Sequence, residues 1–209
     1  EQLDNVVIPS QVTYEEDDYV VKKIRAEAFE GCTNLSSVEL SSSDISVEKV
    51  FDGIEGNILV YVPSGSVNNY QNVIGDNHTV VPNYIYDDNN LYYKLFKSST
   101  EEIEAQLVES IDGKLYFGDV IIPITVKYEE STTDGTVISK EYNVSKIVTK
   151  AFANCKNLTF VTIPESVSVM EDNIFEGCTE LKSVYLLRST PATLGNFGQG
   201  SNVTFYVLS

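Results

Sequence analysis

One eleven-residue pattern constrains this chain more than anything else in it. It reads Ala28-Phe29-Glu30-Gly31-Cys32-Thr33-Asn34-Leu35-Ser36-Ser37-Val38, then Ala151-Phe152-Ala153-Asn154-Cys155-Lys156-Asn157-Leu158-Thr159-Phe160-Val161. A close variant follows as Ile174-Phe175-Glu176-Gly177-Cys178-Thr179-Glu180-Leu181-Lys182-Ser183-Val184. Phe152 to Phe175, Cys155 to Cys178, Leu158 to Leu181 and Val161 to Val184 are each 23 apart. A fixed period in the range of about 20–29 residues, with apolar residues at fixed offsets, marks a solenoid. A single rung cannot bury its apolar face alone, so the rungs must stack.

A longer duplication runs beneath the short one. Val6-Val7-Ile8-Pro9 and Val12 to Glu16 recur as Val120-Ile121-Ile122-Pro123 and Val126 to Glu130, at an offset of 114. Downstream, Ile24 and Phe29 match Ile147 and Phe152 at an offset of 123. The nine extra residues fall around Ser131 to Tyr142, where Asp134-Gly135 predicts a type I′ hairpin turn. Both copies close alike, as Val50-Phe51-Asp52-Gly53 before Ile58 to Pro63 and as Asn196-Phe197-Gly198 before Val203 to Val207. After the first closing strand, Val67, Tyr70, Val73 and Ile74 recur at helical spacing behind Ser66, which reads as the N-cap. This predicts a short helix near 66–74 that caps the open end of the first block. Copy 2 gains a lead-in, with Leu91 to Phe96, Ile103 to Val108 and Leu115 to Phe117 read as antiparallel strands. The expected blocks are therefore 1–83 and 84–209, the second with a hairpin lead-in over 84–146 and repeats over 147–209.

Alternation along a strand turns Leu35, Val38 and Leu40 inward. Stacking then places Leu158, Val161 and Ile163 beneath them, followed by Leu181, Val184 and Leu186. Phe29, Phe152 and Phe175 form an aromatic spine behind these columns. Function falls to the alternate positions. The pattern exposes Phe160 and Thr162, Ser183 and Tyr185, and Thr204 and Tyr206, and in copy 1 Ser37 and Glu39, then Leu59 and Tyr61. Phe160, Tyr185, Tyr206 and Tyr61 are the candidate ligand-facing residues. They fit a binding patch for a protein or sugar ring, or a ladder of strand aromatics that only packs on itself.

These residues resemble the BspA-type leucine-rich repeats of bacterial surface and secreted proteins. Gly118-Asp119-Val120-Ile121-Ile122-Pro123 after Tyr116, and Tyr61-Val62-Pro63-Ser64-Gly65-Ser66, fit the same family. The resemblance implies a mostly β, right-handed leucine-rich-repeat solenoid of about 23-residue rungs, in two blocks with antiparallel lead-in strands and a short capping helix. It implies a non-enzymatic binding or adhesion module at the cell surface or outside the cell. The expected ligand is a host or neighbouring-cell protein or glycan held on the solenoid face; the alternative is a spacer arm that presents another domain. No catalytic residue carries over from the family. Asn154 in place of Gly, Phe51 and Phe197 without a following Cys, and Leu208 where copy 1 has Pro63 mark degenerate rungs.

Composition agrees. A net charge of −17, from Lys+Arg 14 against Asp+Glu 31, repels phosphate backbones and anionic lipid. No apolar run approaches about 18 residues, so no membrane insertion is expected, and the expected state is a monomer. The chain starts in mid-pattern, so a leader or anchor is expected to have been removed. Adjacent rungs could bring Cys155 and Cys178 within bridging distance, yet Cys32 shares their slot and has no partner, so all three read as packed free thiols. His78, the single histidine, reads as a solvated loop residue without a nucleophile beside it. Glu15 to Asp18, Asp87-Asp88, Glu101-Glu102 and Glu129-Glu130 read as solvated charge near turns. Calcium at Asp87, Asp88 and Asn89 lacks a recognisable loop spacing, so neither a metal nor a cofactor is expected. Asn34, Asn77, Asn143, Asn157 and Asn202 head Asn-x-Ser/Thr triplets, and Asn34 and Asn157 owe theirs to the repeat slot.

Overall fold

The computed structural model describes residues 4–188, 193–194 and 203–207. The Asn196-Phe197-Gly198 closing turn, Asn202 and Leu208 lie outside the described residues. The chain packs as two compact units, Glu1–Asn83 with Glu129–Ile138, and Tyr84–Tyr128 with Ser139–Ser209.

The first unit opens with β1 (Asn5–Ile8) and the hairpin of β2 (Gln11–Tyr14) and β3 (Asp17–Val20). Glu15 and Glu16 form its two-residue turn, with φ of 50° and 72°, as a type I′ turn requires. Next come β4 (Ser37–Leu40), β5 (Leu59–Val62), α1 (Val67–Ile74) and β6 (Thr79–Pro82). The order β1-β4-β5-β6 is parallel throughout, and Val6, Val38, Val60 and Val80 lie in one register line. Val38, Leu40, Val60 and Val80 are buried, as is Leu35. The line of Leu35, Val38 and Leu40 therefore continues into β5. It does not continue into Leu158 to Ile163, because the strand one rung along is the next one in the chain and the duplicate lies in another sheet.

Helix α1 is the crossover from β5 to β6. Val67 and Tyr70 are buried, Ile74 is half-buried, and Val73 is 56% exposed, so the apolar stripe is narrower than the spacing predicts. Ser66 is the N-cap residue, but its side chain makes no capping bond. The Tyr70 hydroxyl donates to Ile45 O at 3.0 Å or to Ser42 O at 2.9 Å, and accepts from Ile45 N–H at 3.2 Å. The Gln71 side chain accepts from Val80 N–H at 3.1 Å and donates to His78 O at 3.2 Å. Val80 lies on the last strand of the sheet, so the helix protects that edge with one amide.

The second unit begins with β7 (Ile85–Tyr86), β8 (Tyr92–Lys97) and β9 (Ile103–Val108), joined antiparallel. Asp87 Oδ1 accepts from Asn89 and Leu91 N–H, each at 2.9 Å, and Oδ2 accepts from the Tyr93 hydroxyl at 3.1 Å. Asp87 thus builds the turn after β7. Leu115–Phe117 is not a strand. There the Tyr116 hydroxyl donates to Val108 O at 2.9 Å and accepts from Tyr92 N–H at 3.2 Å, so a side chain does the joining that a third strand was expected to do.

Then follow β10 (Gly118–Ile121), β11 (Thr125–Ser131), β12 (Val137–Ile147), β13 (Leu158–Ile163), β14 (Val169–Met170), β15 (Ser183–Leu186), β16 (Thr193–Leu194) and β17 (Thr204–Val207). Strands β10-β13-β15-β17 form one parallel sheet. Strands β16-β14-β12-β9 continue parallel into the β9-β8-β7 ladder, with β11 beside β12. Each rung thus contributes one strand to each sheet, for example β13 and then β14. Leu158, Val161, Ile163, Leu181, Val184 and Leu186 are all buried between them.

The β11–β12 turn differs from the type I′ expectation. Gly135 has φ +85° while Asp134 does not enter the left-handed region. Gly135 N–H bonds to Thr132 O at 3.0 Å, and Asp134 Oδ1 accepts from Thr136 N–H at 3.0 Å. This is a type I turn closed by a left-handed glycine, and the Asp134 carboxylate holds it. The tip of this hairpin groups with the first unit, where Glu130 is 7% exposed and accepts from Asn68 N–H at 3.2 Å. Glu130 is therefore not solvated charge.

Candidate binding face and the buried histidine

Aromatic stacks run behind the sheets. Phe152 and Phe175 are fully buried with ring centroids 5.5 Å apart, and Tyr116 meets Phe152 edge-on at 5.2 Å. In the first unit Phe29 stacks on Phe51 at 5.6 Å, and His78 meets Phe51 edge-on at 5.6 Å. His78 is therefore not a solvated loop residue. It is 5% exposed and ends the stack that Phe29 begins. Ile58 N–H donates to its Nδ1 at 3.5 Å, and backbone groups of Phe51 and Gly56 also bond to the ring. Sequence spacing misses this because His78 arrives from the far side of α1, outside the repeat frame.

A cavity of about 700 Å³ lies beside the ring and is lined by Glu48, Lys49 and Asp52 among others. Burial lowers the His78 pKa below its ordinary 6.5, against the raising effect of the Phe51 and Gly56 bonds. A histidine whose folded pKa is depressed contributes stability above its unfolded pKa, and loses it as pH falls through about 6.5 toward the folded value. The denaturation midpoint of the wild-type chain should therefore fall between pH 7.5 and 5 by more than that of His78→Phe, which keeps an aromatic ring in the stack. Equal pH slopes in the two proteins would rule out a buried neutral imidazole.

The cysteines are free thiols, with Cys155 and Cys178 buried and Cys32 half-buried. Cys178 Sγ donates to Phe152 O at 2.9 Å, and burial, then the neighbouring Cys155, pushes its pKa up to about 12. Burial also raises the Cys155 thiol. Neither buried sulfur has the low pKa of a nucleophile. Among the described residues no group of three or more His, Cys, Asp or Glu is placed to hold a metal ion, and no helix is long and apolar enough to cross a membrane.

The outward face of β10-β13-β15-β17 carries the other candidates. Register places Thr162, Tyr185 and Tyr206 in one line, while Phe160 lies opposite Ser183 and Asp119 in the next. Tyr185 and Tyr206 stack with ring centroids 4.9 Å apart and planes 12° from parallel. Tyr206 is 45% exposed, Tyr185, Phe160 and Thr162 are half-buried, Thr204 is exposed, and Ser183 is buried. Tyr61 does not join them. It is 7% exposed with Leu59 at 4%, and burial, then Glu39, raises its hydroxyl to about 12. Alternation gives the side of the sheet on which Tyr61 lies. It does not tell whether that side is covered, and in the first unit Val81, opposite Tyr61, is buried with it.

A family model for the BspA type leucine rich repeat region matches in six copies, over residues 1–106 and 124–203. The chain belongs to the BspA-type leucine-rich repeat family. Its repeats are the frame that sets Tyr185 over Tyr206 at one rung's separation. Among solved structures, this BspA-type chain is similar to a leucine rich cell surface protein from Faecalibacterium prausnitzii A2-165, at 14% identity and TM-score 0.33, over 98% of this chain and 88% of that one. It is also similar to a leucine-rich repeat protein from Bacteroides ovatus ATCC 8483, at 18% identity and TM-score 0.21, over 87% of this chain and 39% of that one. A third, from Eubacterium ventriosum ATCC 27560, has 14% identity and TM-score 0.28, over 90% of this chain and 61% of that one. No curated protein matches the chain.

Proposed function

We propose that this chain is a non-enzymatic binding or adhesion module of a bacterial cell-surface or secreted protein. In this reading it is a right-handed solenoid in two blocks, 1–83 and 84–209. It holds a protein or glycan of a host or neighbouring cell on the outward face of β10-β13-β15-β17. The observation that carries the reading is the Tyr185–Tyr206 stack, whose outer ring is 45% exposed on the last strand of the sheet. Stacked tyrosines give a large amphipathic contact area at low conformational cost. The net charge of −17 adds a preference for neutral or basic partners.

A screen of the chain against extracellular-matrix proteins and glycans tests this. Tyr185→Ala with Tyr206→Ala should lower the affinity of any hit by at least about 2 kcal/mol, the scale of an interface hot spot. Retained affinity in the double variant would place the ligand elsewhere. The alternative is a spacer arm, and the small outward residues Thr162 and Thr204 beside the aromatics favour it. A screen without any hit would support that second reading.

A further inference from the structure

A groove of about 420 Å³ opens among the lead-in strands of the second unit, away from the tyrosine line described above. That volume lies at the lower end of the roughly 300–1,000 Å³ usual for small-ligand sites. Its walls are of two kinds. One is aromatic. Tyr86 and Tyr92 are cross-strand partners on β7 and β8, with ring centroids 4.7 Å apart and planes tilted by 45°. Tyr86 is 53% exposed, and Phe117, at 73%, is more exposed than any other large apolar side chain among the described residues. The other wall is polar. Asp112 accepts from Ser110 Oγ at 2.6 Å and Lys114 N–H at 3.0 Å, and pairs with Lys114 Nζ at 2.9 Å. Asn90, at φ +63°, accepts from the Tyr86 hydroxyl at the rim.

The repeat does not account for these exposed rings. None of them belongs to the Phe, Cys, Leu and Val positions that build a rung. The segment is also held in place from behind, since Tyr92 N–H and Val108 O both bond to the Tyr116 hydroxyl, at 3.2 and 2.9 Å. A wall fixed before binding loses little entropy when a ligand arrives.

We propose that this groove is a binding site for one neutral sugar ring of a glycan. The charges decide against the other ligand classes. Among the described lining residues two carboxylates, Asp112 and Asp119, outnumber the single ammonium of Lys114, so an anion is repelled. The position for a cation beside Asp112 is already filled by Lys114. An apolar ligand would strip water from Asp112, Lys114 and Asn90 and return no hydrogen bonds, which is costly. A pyranose meets both walls. Its C–H face lies on Tyr86 and Phe117, its hydroxyl hydrogens reach the carboxylates, and its oxygens accept from Lys114 and the Asn90 amide. Hydrogen bonds from Ser110 and Lys114 hold the Asp112 carboxyl below the usual carboxylate range, so at neutral pH it is an acceptor.

Native affinity electrophoresis of the full 209-residue chain in gels containing neutral glucan, xylan, galactomannan or mannan tests this directly. Retardation by at least one neutral polysaccharide is expected. Tyr86→Ala with Phe117→Ala should weaken it about tenfold or more, the equivalent of about 1.4 kcal/mol. Both side chains are largely exposed, so the double variant should melt as the wild type does. Asp112→Asn provides a second variant on the polar wall and should also weaken retardation. Tyr14→Ala, 65% exposed on β2 of the first unit and outside both candidate sites, should leave retardation unchanged, which ties the loss to the groove. Absence of retardation in every neutral gel, equal retardation of the Tyr86/Phe117 variant, or retardation only by heparin or by a lysine-rich peptide would overturn the assignment.

Discussion

Phe175→Ala should destabilise the protein by about 3–5 kcal/mol and unfold the second unit. Phe175 is fully buried, and its ring stacks on Phe152 with centroids 5.5 Å apart and planes 16° from parallel. Its backbone is tied at the same place, because Phe152 N–H bonds to Ile174 O at 3.0 Å and Cys178 N–H to Phe175 O at 3.1 Å. Truncation leaves a void under Phe152 that the flanking rungs cannot close without shifting these bonds. A domain of ordinary size has about 5–15 kcal/mol of stability in all, so the loss is a large fraction of it. The near-UV signal from tyrosine should melt roughly 10 °C or more below the wild type. Tyr206→Ala, at the exposed end of the outward line, should melt within about 2 °C of wild type. A drop of less than a few degrees for Phe175→Ala would remove this residue from the core.

Strand register was largely written in the repeat offsets. The offsets of 114 and 123 align Val6 and Val38 with Val120 and Val161, and the structure pairs each couple across neighbouring parallel strands. The buried columns followed because one period of alternation suffices to sort inward from outward. Three things were not legible, for a shared reason. The burial of His78 and of Tyr61 and the irregular path of Leu115–Phe117 depend on which distant segment lies against them, and no local period encodes that. A fourth was hidden by residue type. Glu27, Lys49, Lys150 and Asn173 each stand two positions before a spine phenylalanine, and all have φ between +55° and +62°. Glycine announces such a position, whereas lysine and glutamate do not. Here the conformation is imposed by rung stacking, as where Glu27 N–H bonds to Lys49 O at 2.9 Å. On the candidate face, Tyr185 and Tyr206 were found because they share a register line. The groove at Tyr86 and Phe117 was missed because it draws on turns that the repeat does not describe.

Gly177→Ala should cost about 2–3 kcal/mol, more than the same change at Gly31. The two glycines occupy the same slot before Cys178 and Cys32, with φ of +76° and +75°. Either alanine takes on the left-handed strain of about 1–2 kcal/mol. Around Gly31 an added Cβ meets nothing within 4 Å, so strain is the whole cost there. At Gly177 the Cβ would lie 2.7 Å from Asn154 Oδ1 and 3.4 Å from Asn154 Cα. Asn154 fills the same slot one rung earlier, at φ +61°, and its N–H bonds to Glu176 O at 2.7 Å. The rungs are thus in contact through this slot, and the side chain that the asparagine adds is accommodated by the glycine above it. Adding Asn154→Gly to Gly177→Ala removes the clashing amide and should restore about 1 kcal/mol, a coupling of the size expected for residues in contact. Urea midpoints of the two single variants and the double variant measure this. Strict additivity of Asn154→Gly and Gly177→Ala would show that the two rungs do not touch through these residues.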